Sequence, residues 1–242
     1  MKLMSLVIVL PIILGLDFLS CNQSGSMVEV NGNMQQISEK NPLTNVSEAS
    51  EILQKVENRY YAFTFYKAAA QNTYSRKGFG DETSVKREIE IEYSTPSQIK
   101  AEMRDGTDTK ILISKDNITS LSVDGKKKKD YDDVYWGLTS TEFGDGAFFE
   151  VGKILVAKEY GQGEISAIRH LQNPVILGED VIDGSLCYKI QGTLSIDELA
   201  KITYWIDKES FLIRQYERVF LAKKIPGGYF KTIETYTDIE AR

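Results

Sequence analysis

Two cysteines and a single histidine are the most reactive side chains in this 242-residue chain. Cys21 closes the stretch LDFLSC, where an apolar run gives way to the polar NQSGS. A thiol at such a join can take a diacylglycerol through a thioether once cleavage leaves the cysteine as the new N-terminus. That chemistry makes Cys21 an anchor and not a catalyst. Cys187 lies in the alternating stretch LCYKIQG and reads as a small buried hydrophobe. With Cys21 acylated it has no disulfide partner, and an exported domain of this size needs none. His170 stands between Arg169 and Leu171 and reads as structural. The sequence has no HExxH, CxxC, Walker or GxSxG pattern, and its Asp and Glu residues are too scattered to mark a catalytic pair. These residues point to no enzyme, no metal and no cofactor.

The elements around Cys21 fit export. Lys2 gives a short positive start, and residues 3 to 16 are apolar apart from Ser5, with Pro11 and Gly15 as interruptions. A membrane-spanning helix takes about 20 apolar residues, so this run is too short and residues 1–20 read as a signal peptide. Leu19, Ser20 and Cys21 resemble the end of a bacterial lipobox, with Phe18 where Leu is usual and Asp17 as an odd charge. Residues 24 to 26 offer a competing site for ordinary cleavage. Residues 21–43 then form a lipidated N-terminus and a tether rich in Asn, Gln, Ser and Gly. Such a tether reaches about 25 Å, from roughly 5–6 Å times the square root of its length. Asn22 stands where many inner-membrane lipoproteins carry Asp, which favours the outer membrane, on its periplasmic or surface face.

Residues 44–242 remain for one domain, enough for a sizeable core. The net charge of -6 argues against nucleic acid, whose phosphates call for a positive field. The basic run at residues 126 to 129 is flanked by Asp124, Asp130, Asp132 and Asp133 and reads as a solvated turn.

Within the domain, Asn45 and Glu48 have capping-box spacing. Ala49, Ile52, Leu53, Val56 and Tyr60 follow at helical period, with Glu48, Glu51, Lys55 and Glu57 elsewhere on the wheel. A helix is expected over 46–59. Period-two alternation then takes over. Ile89, Ile91 and Tyr93 share one strand face against Glu88, Glu90 and Glu92. Ile99, Ala101 and Met103 repeat the pattern after a turn holding Pro96. Asp124-Gly125 and Asp183-Gly184 are turn signals. Helical spacing returns over 147–160, and strands fill the rest to about residue 239. The expected fold is mainly β, of the α+β kind: a curved antiparallel half-barrel of ten or eleven strands with two helices at its concave face.

An apolar hollow inside such a sheet suits an elongated apolar ligand, although a fully packed core gives the same alternation. The candidate lining is Ile91, Tyr93, Ile99, Ala101, Met103, Leu121, Tyr188 and Tyr204. Two longer stretches sharpen the choice. VIDGSLCYKIQG at residues 181 to 192 and TYWIDKESFLIRQYE at 203 to 217 resemble the C-terminal half of the bacterial lipoprotein-localisation (Lol) carrier and receptor superfamily. The hairpin IEIEYSTPSQIKAEM at residues 89 to 103 fits the N-terminal half, and the resemblance covers about residues 45–240. It implies a half-open barrel whose cavity accepts acyl chains. The chain is expected to be a monomer attached to the membrane through the lipid on Cys21. The carrier has an arginine just before the hairpin proline that helps control opening; Thr95 stands there instead. The receptor's hydrophobic membrane loop has its nearest counterpart in YWGL, residues 135 to 138, where a buried aromatic pair is the other reading. The competing function is a non-enzymatic sensor or surface interaction module with the same fold and a filled core.

Overall fold

The computed structural model describes residues 42–242 apart from 79, 97, 117, 141–142, 144–148, 161–166, 195–196 and 223–224. The export signal, Cys21 and the tether up to residue 41 lie outside the described residues, and residues 42 and 43, expected to end the tether, are the start of a helix. Lys40–Arg242 forms one compact unit.

The strongest sequence period gives the longest helix, α1 (Pro42–Ala62). Ala49, Ile52, Leu53, Val56 and Tyr60 all face the core. Asn45 is not the cap its spacing suggests, because the helix already begins at Pro42. Its side-chain amide instead pairs with both backbone groups of Ile176, at 3.2 and 3.0 Å. Five strands follow as a meander: β1 (Phe65–Lys77), β2 (Thr83–Ser94), β3 (Gln98–Asp105), β4 (Asp108–Lys115) and β5 (Ile118–Val123). The lysine run forms a sixth, β6 (Lys126–Tyr131), where a turn was expected. It pairs with β5 on one side only, and exposed lysines are a common way to keep such an edge from recruiting another strand. Two helices come next, α2 (Val134–Thr139) and α3 (Glu150–Tyr160). A 3₁₀ turn at Ala167–His170 leads into β7 (Leu171–Ile182), β8 (Ser185–Leu194), β9 (Asp197–Asp207), β10 (Ile213–Leu221) and β11 (Tyr229–Ala241).

All eleven strands belong to one antiparallel sheet in the order β6-β5-β4-β3-β2-β1-β11-β10-β9-β8-β7. The sheet does not close, and β6 and β7 are its two edges. Both Asp-Gly turns are as expected. Asp124 and Gly125 have φ of 49° and 73°, and Asp183 and Gly184 have 49° and 75°, the paired positive values of a tight hairpin. The curl follows from what α3 touches. Ile99 on β3 lies 3.7 Å from where a side chain on Gly152 would begin, while Glu150 bonds Tyr204 on β9. Those strands are five steps apart, about 24 Å on a flat sheet, whereas a helix is only about 10 Å wide. The sheet must wrap around the helix. The third helix, α2, is the one the sequence pattern missed; it is six residues long and shows too little period to detect. Among the described residues, no helix is long and apolar enough to cross a membrane.

Candidate functional site

The strand register arranges the inner face in rows. Ala68, Ile91, Ala101, Leu112 and Leu121 are neighbours across β1 to β5. Tyr66, Tyr93 and Ile99 form a second row, and Ala70, Ile89 and Met103 a third. Tyr204 faces Ile190 and Tyr216, and Tyr188 faces Ile206. The eight expected lining residues therefore share one face. Seven of them are at most 2% exposed, and Tyr188 is half-buried against the same core. What covers them is helical. Gly137 of α2 lies so close to Leu112 and Thr119 that an added Cβ would sit 2.9 Å from each. Gly152 of α3 lies over Ile99 and Leu138 with ordinary spacing.

The other half of the face carries a buried polar network among apolar residues such as Ile190, Ile202 and Ile206. Glu234 on β11 is fully buried, and its carboxylate accepts the backbone N–H of Phe149 at 2.9 Å and of Glu150 at 3.3 Å. It thereby satisfies donors at the start of α3 that the helix cannot satisfy itself. Tyr236 donates its hydroxyl to Glu234 at 2.6 Å, and Asn72 its amide at 3.4 Å. Glu150 accepts the Tyr204 hydroxyl at 2.8 Å and the Ala167 N–H at 2.9 Å. Burial pushes the Glu150 carboxyl above the usual carboxylate range, against the pull of Lys153. Burial pushes the Lys153 ammonium down, with Glu150 and Glu234 acting against it. This network pins α3 to β1, β9 and β11.

A cleft of about 540 Å³ opens where α1 meets edge strand β7, lined by Ser50, Leu53, Gln54, Glu57, Ile168, Arg169, Leu171 and Pro174. Glu57 is only 8% exposed, although its place on the helical wheel put it among the solvent-facing residues. Its carboxylate takes Arg169 Nε, the Tyr61 hydroxyl at 3.0 Å and the Gln54 amide at 3.3 Å. The Arg169 guanidinium also lies over the Tyr61 ring, 5.3 Å from its centre.

Other expected residues fall as follows. Cys187 is buried, and burial raises its thiol to about 11. His170 ends the 3₁₀ turn. Trp136, in YWGL, is 61% exposed while Leu138 beside it is buried, so the segment is not a buried aromatic pair. Among the described residues, no group of three or more His, Cys, Asp or Glu side chains is placed to hold a metal. Glu150, Lys153 and Glu234 were not foreseen. The available signal was Glu234 in phase with Thr232 and Tyr236, a carboxylate on the inner side of its strand.

No family model and no curated protein matches the sequence. Solved structures with a similar fold include three bacterial proteins. The lipoprotein LppX of Mycobacterium tuberculosis is 14% identical, with a TM-score of 0.48, over 80% of this chain and 95% of that one. LprF of Mycobacterium bovis is 18% identical, with a TM-score of 0.45, over 80% and 93%. A LolA superfamily protein of Nitrosomonas europaea is 10% identical, with a TM-score of 0.38, over 80% and 93%.

Proposed function

We propose that the protein is an exported, lipid-anchored binding protein, without catalytic activity, that shelters an acyl chain of a lipid or lipoprotein. Its place would be the outer membrane, in lipoprotein sorting, with Cys21 as the anchor and Ile91, Tyr93, Ile99, Ala101, Met103, Leu121, Tyr188 and Tyr204 as the apolar lining. One observation carries the reading: the apolar rows of β2 to β5 are covered by two short helices and not by a second sheet. A helix held by side chains alone can shift and leave an apolar groove. Exposing an acyl chain to water costs about 0.8 kcal/mol per CH₂, so a chain of ordinary length offsets on the order of 10 kcal/mol of the apolar surface uncovered.

A second reading has its own support. Tyr60, Tyr66, Tyr93, Tyr204, Tyr216 and Tyr236 are all fully buried. A core so filled suits a sensor or surface interaction module. One preparation separates the two. The full chain carrying Cys21→Ala is purified and extracted with organic solvent, then offered a fluorescent fatty acid. Near-stoichiometric lipid, or saturable uptake, supports the acyl-binding reading. Neither result leaves the filled module. For the anchor, labelled palmitate should enter the wild type and not Cys21→Ala; label in both would point to an ordinary signal peptide.

A further inference from the structure

The cleft beside α1 holds a cation with hydrogen-bonding capacity to spare. Arg169 spends Nε on Glu57 and its flat face on Tyr61. Its two terminal nitrogens make no hydrogen bond to the described residues, and the side chain is 38% exposed. A guanidinium fixed at one edge and one face presents its remaining edge in the geometry that matches a carboxylate or phosphate. The cleft around that edge is mixed: Ser50, Gln54 and Glu57 line its polar part, and four apolar residues line the rest. Leu53 and Ile168 belong to the main core, Leu171 packs against it, and Pro174 adds a further apolar wall. The cleft's volume is in the usual range for small-molecule sites, about 300–1,000 Å³.

The seam itself is joined by side chains. The sheet ends at β7, so α1 and β7 meet through side chains and not through a strand ladder. Asn45 ties α1 to the β7 backbone at Ile176 through its side-chain amide. Pro174, two residues earlier, has no N–H to offer. A ligand with a charged head and an apolar tail matches this pattern: charge at the mouth, core residues on the floor.

We infer that the cleft receives the anionic head of a single-tailed amphiphile. Its carboxylate or phosphate takes the two terminal nitrogens of Arg169, and its tail follows Leu53, Ile168 and Leu171 toward the core. This assignment rests on the acyl-binding reading and adds to it the entrance and the head-group charge. Glu57 has a defined part. It holds the guanidinium in place, and its own negative charge opposes the incoming anion. Removing Arg169 and removing the Glu57 charge must therefore act in opposite directions.

The test titrates the full Cys21→Ala chain with two fluorescent probes: cis-parinaric acid, which has a carboxylate, and N-phenyl-1-naphthylamine, which is uncharged. Arg169→Gln should weaken cis-parinaric acid about tenfold, the scale of a lost charged hydrogen bond, and leave the uncharged probe unchanged. Glu57→Gln should tighten cis-parinaric acid a few-fold. Millimolar inorganic phosphate should not displace the probe. Equal weakening of both probes by Arg169→Gln marks a loosened fold and overturns the assignment, as does a Glu57→Gln effect in the same direction as Arg169→Gln. Displacement by phosphate alone reduces the cleft to a free-anion site and overturns the amphiphile. Uptake of both probes with Arg169→Gln indifferent removes this inference and leaves acyl binding standing. Uptake of neither by the parent chain removes both.

Discussion

The concave face is divided between two kinds of attachment. Across β1 to β5 its rows are mostly Ile, Ala, Met and Leu, with Tyr66, Tyr93 and the hydrogen-bonded pair Ser114 and Thr119 among them, and the helices above are held mainly by apolar packing. Across β9 to β11 and the far end of β1, the same face carries Tyr204, Tyr216, Glu234, Tyr236 and Asn72, and α3 is held by directed hydrogen bonds. Apolar packing is roughly proportional to area and indifferent to direction. A hydrogen bond to a buried carboxylate depends on geometry, and breaking it leaves both partners unsatisfied. The difference gives α3 one firm side and one soft side. The helix yields most easily on the soft side, while the polar side keeps it in register.

Substitutions can break this contrast or sharpen it. The largest loss is expected from Glu234→Ala, which leaves the Phe149 and Glu150 N–H groups, the Tyr236 hydroxyl and the Asn72 amide without their acceptor. Urea unfolding should show a cost of about 3–5 kcal/mol. A cost under about 1 kcal/mol would mean that α3 is not anchored there. Ile91→Ala on the apolar side should cost about 3 kcal/mol through the cavity it leaves. Its effect should be the same at pH 5 and pH 8, since its strand partners are Ala68 and Ala101.

A matched pair of glycines comes next. Gly137→Ala in α2 places a methyl 2.9 Å from Leu112 and Thr119 and should cost about 1–3 kcal/mol. The same change at Gly152 in α3 meets nothing closer than 3.7 Å and should stabilise by up to about 1 kcal/mol through helix propensity. Thermal melts of the two variants moving the same way would refute the tight and loose seats assigned to α2 and α3.

The smallest effect is a slope. The Glu150 carboxyl titrates higher when folded than when unfolded. Between those two values the folded chain holds a proton that the unfolded chain has released. Stability therefore falls as pH rises from about 4, and the fall ends once the folded group has ionised. Glu150→Gln removes this component. Relative to wild type, its urea midpoint should rise with pH across that window. A difference that does not change with pH would place the proton elsewhere.

The sequence by itself determined the elements that depend on neighbours along the chain. Alternation at Ile89, Ile91 and Tyr93 defines a strand with one wet face, helical spacing at Ala49, Ile52 and Val56 defines a helix with one dry face, and Asp-Gly defines where a hairpin folds back. Those patterns were enough for the antiparallel strands and for the eight residues that share one face of the sheet. Tertiary structure alone decided the rest. Residues 126 to 129 are a strand because β5 supplies a partner, not because lysines favour one. Glu57 is buried because Arg169, 112 residues away, folds over it. Glu234 caps a helix that begins 84 residues earlier. Period along a chain reports which way a side chain points. It carries no information about which distant group will be there to meet it, and a buried charge is stable only where that meeting takes place.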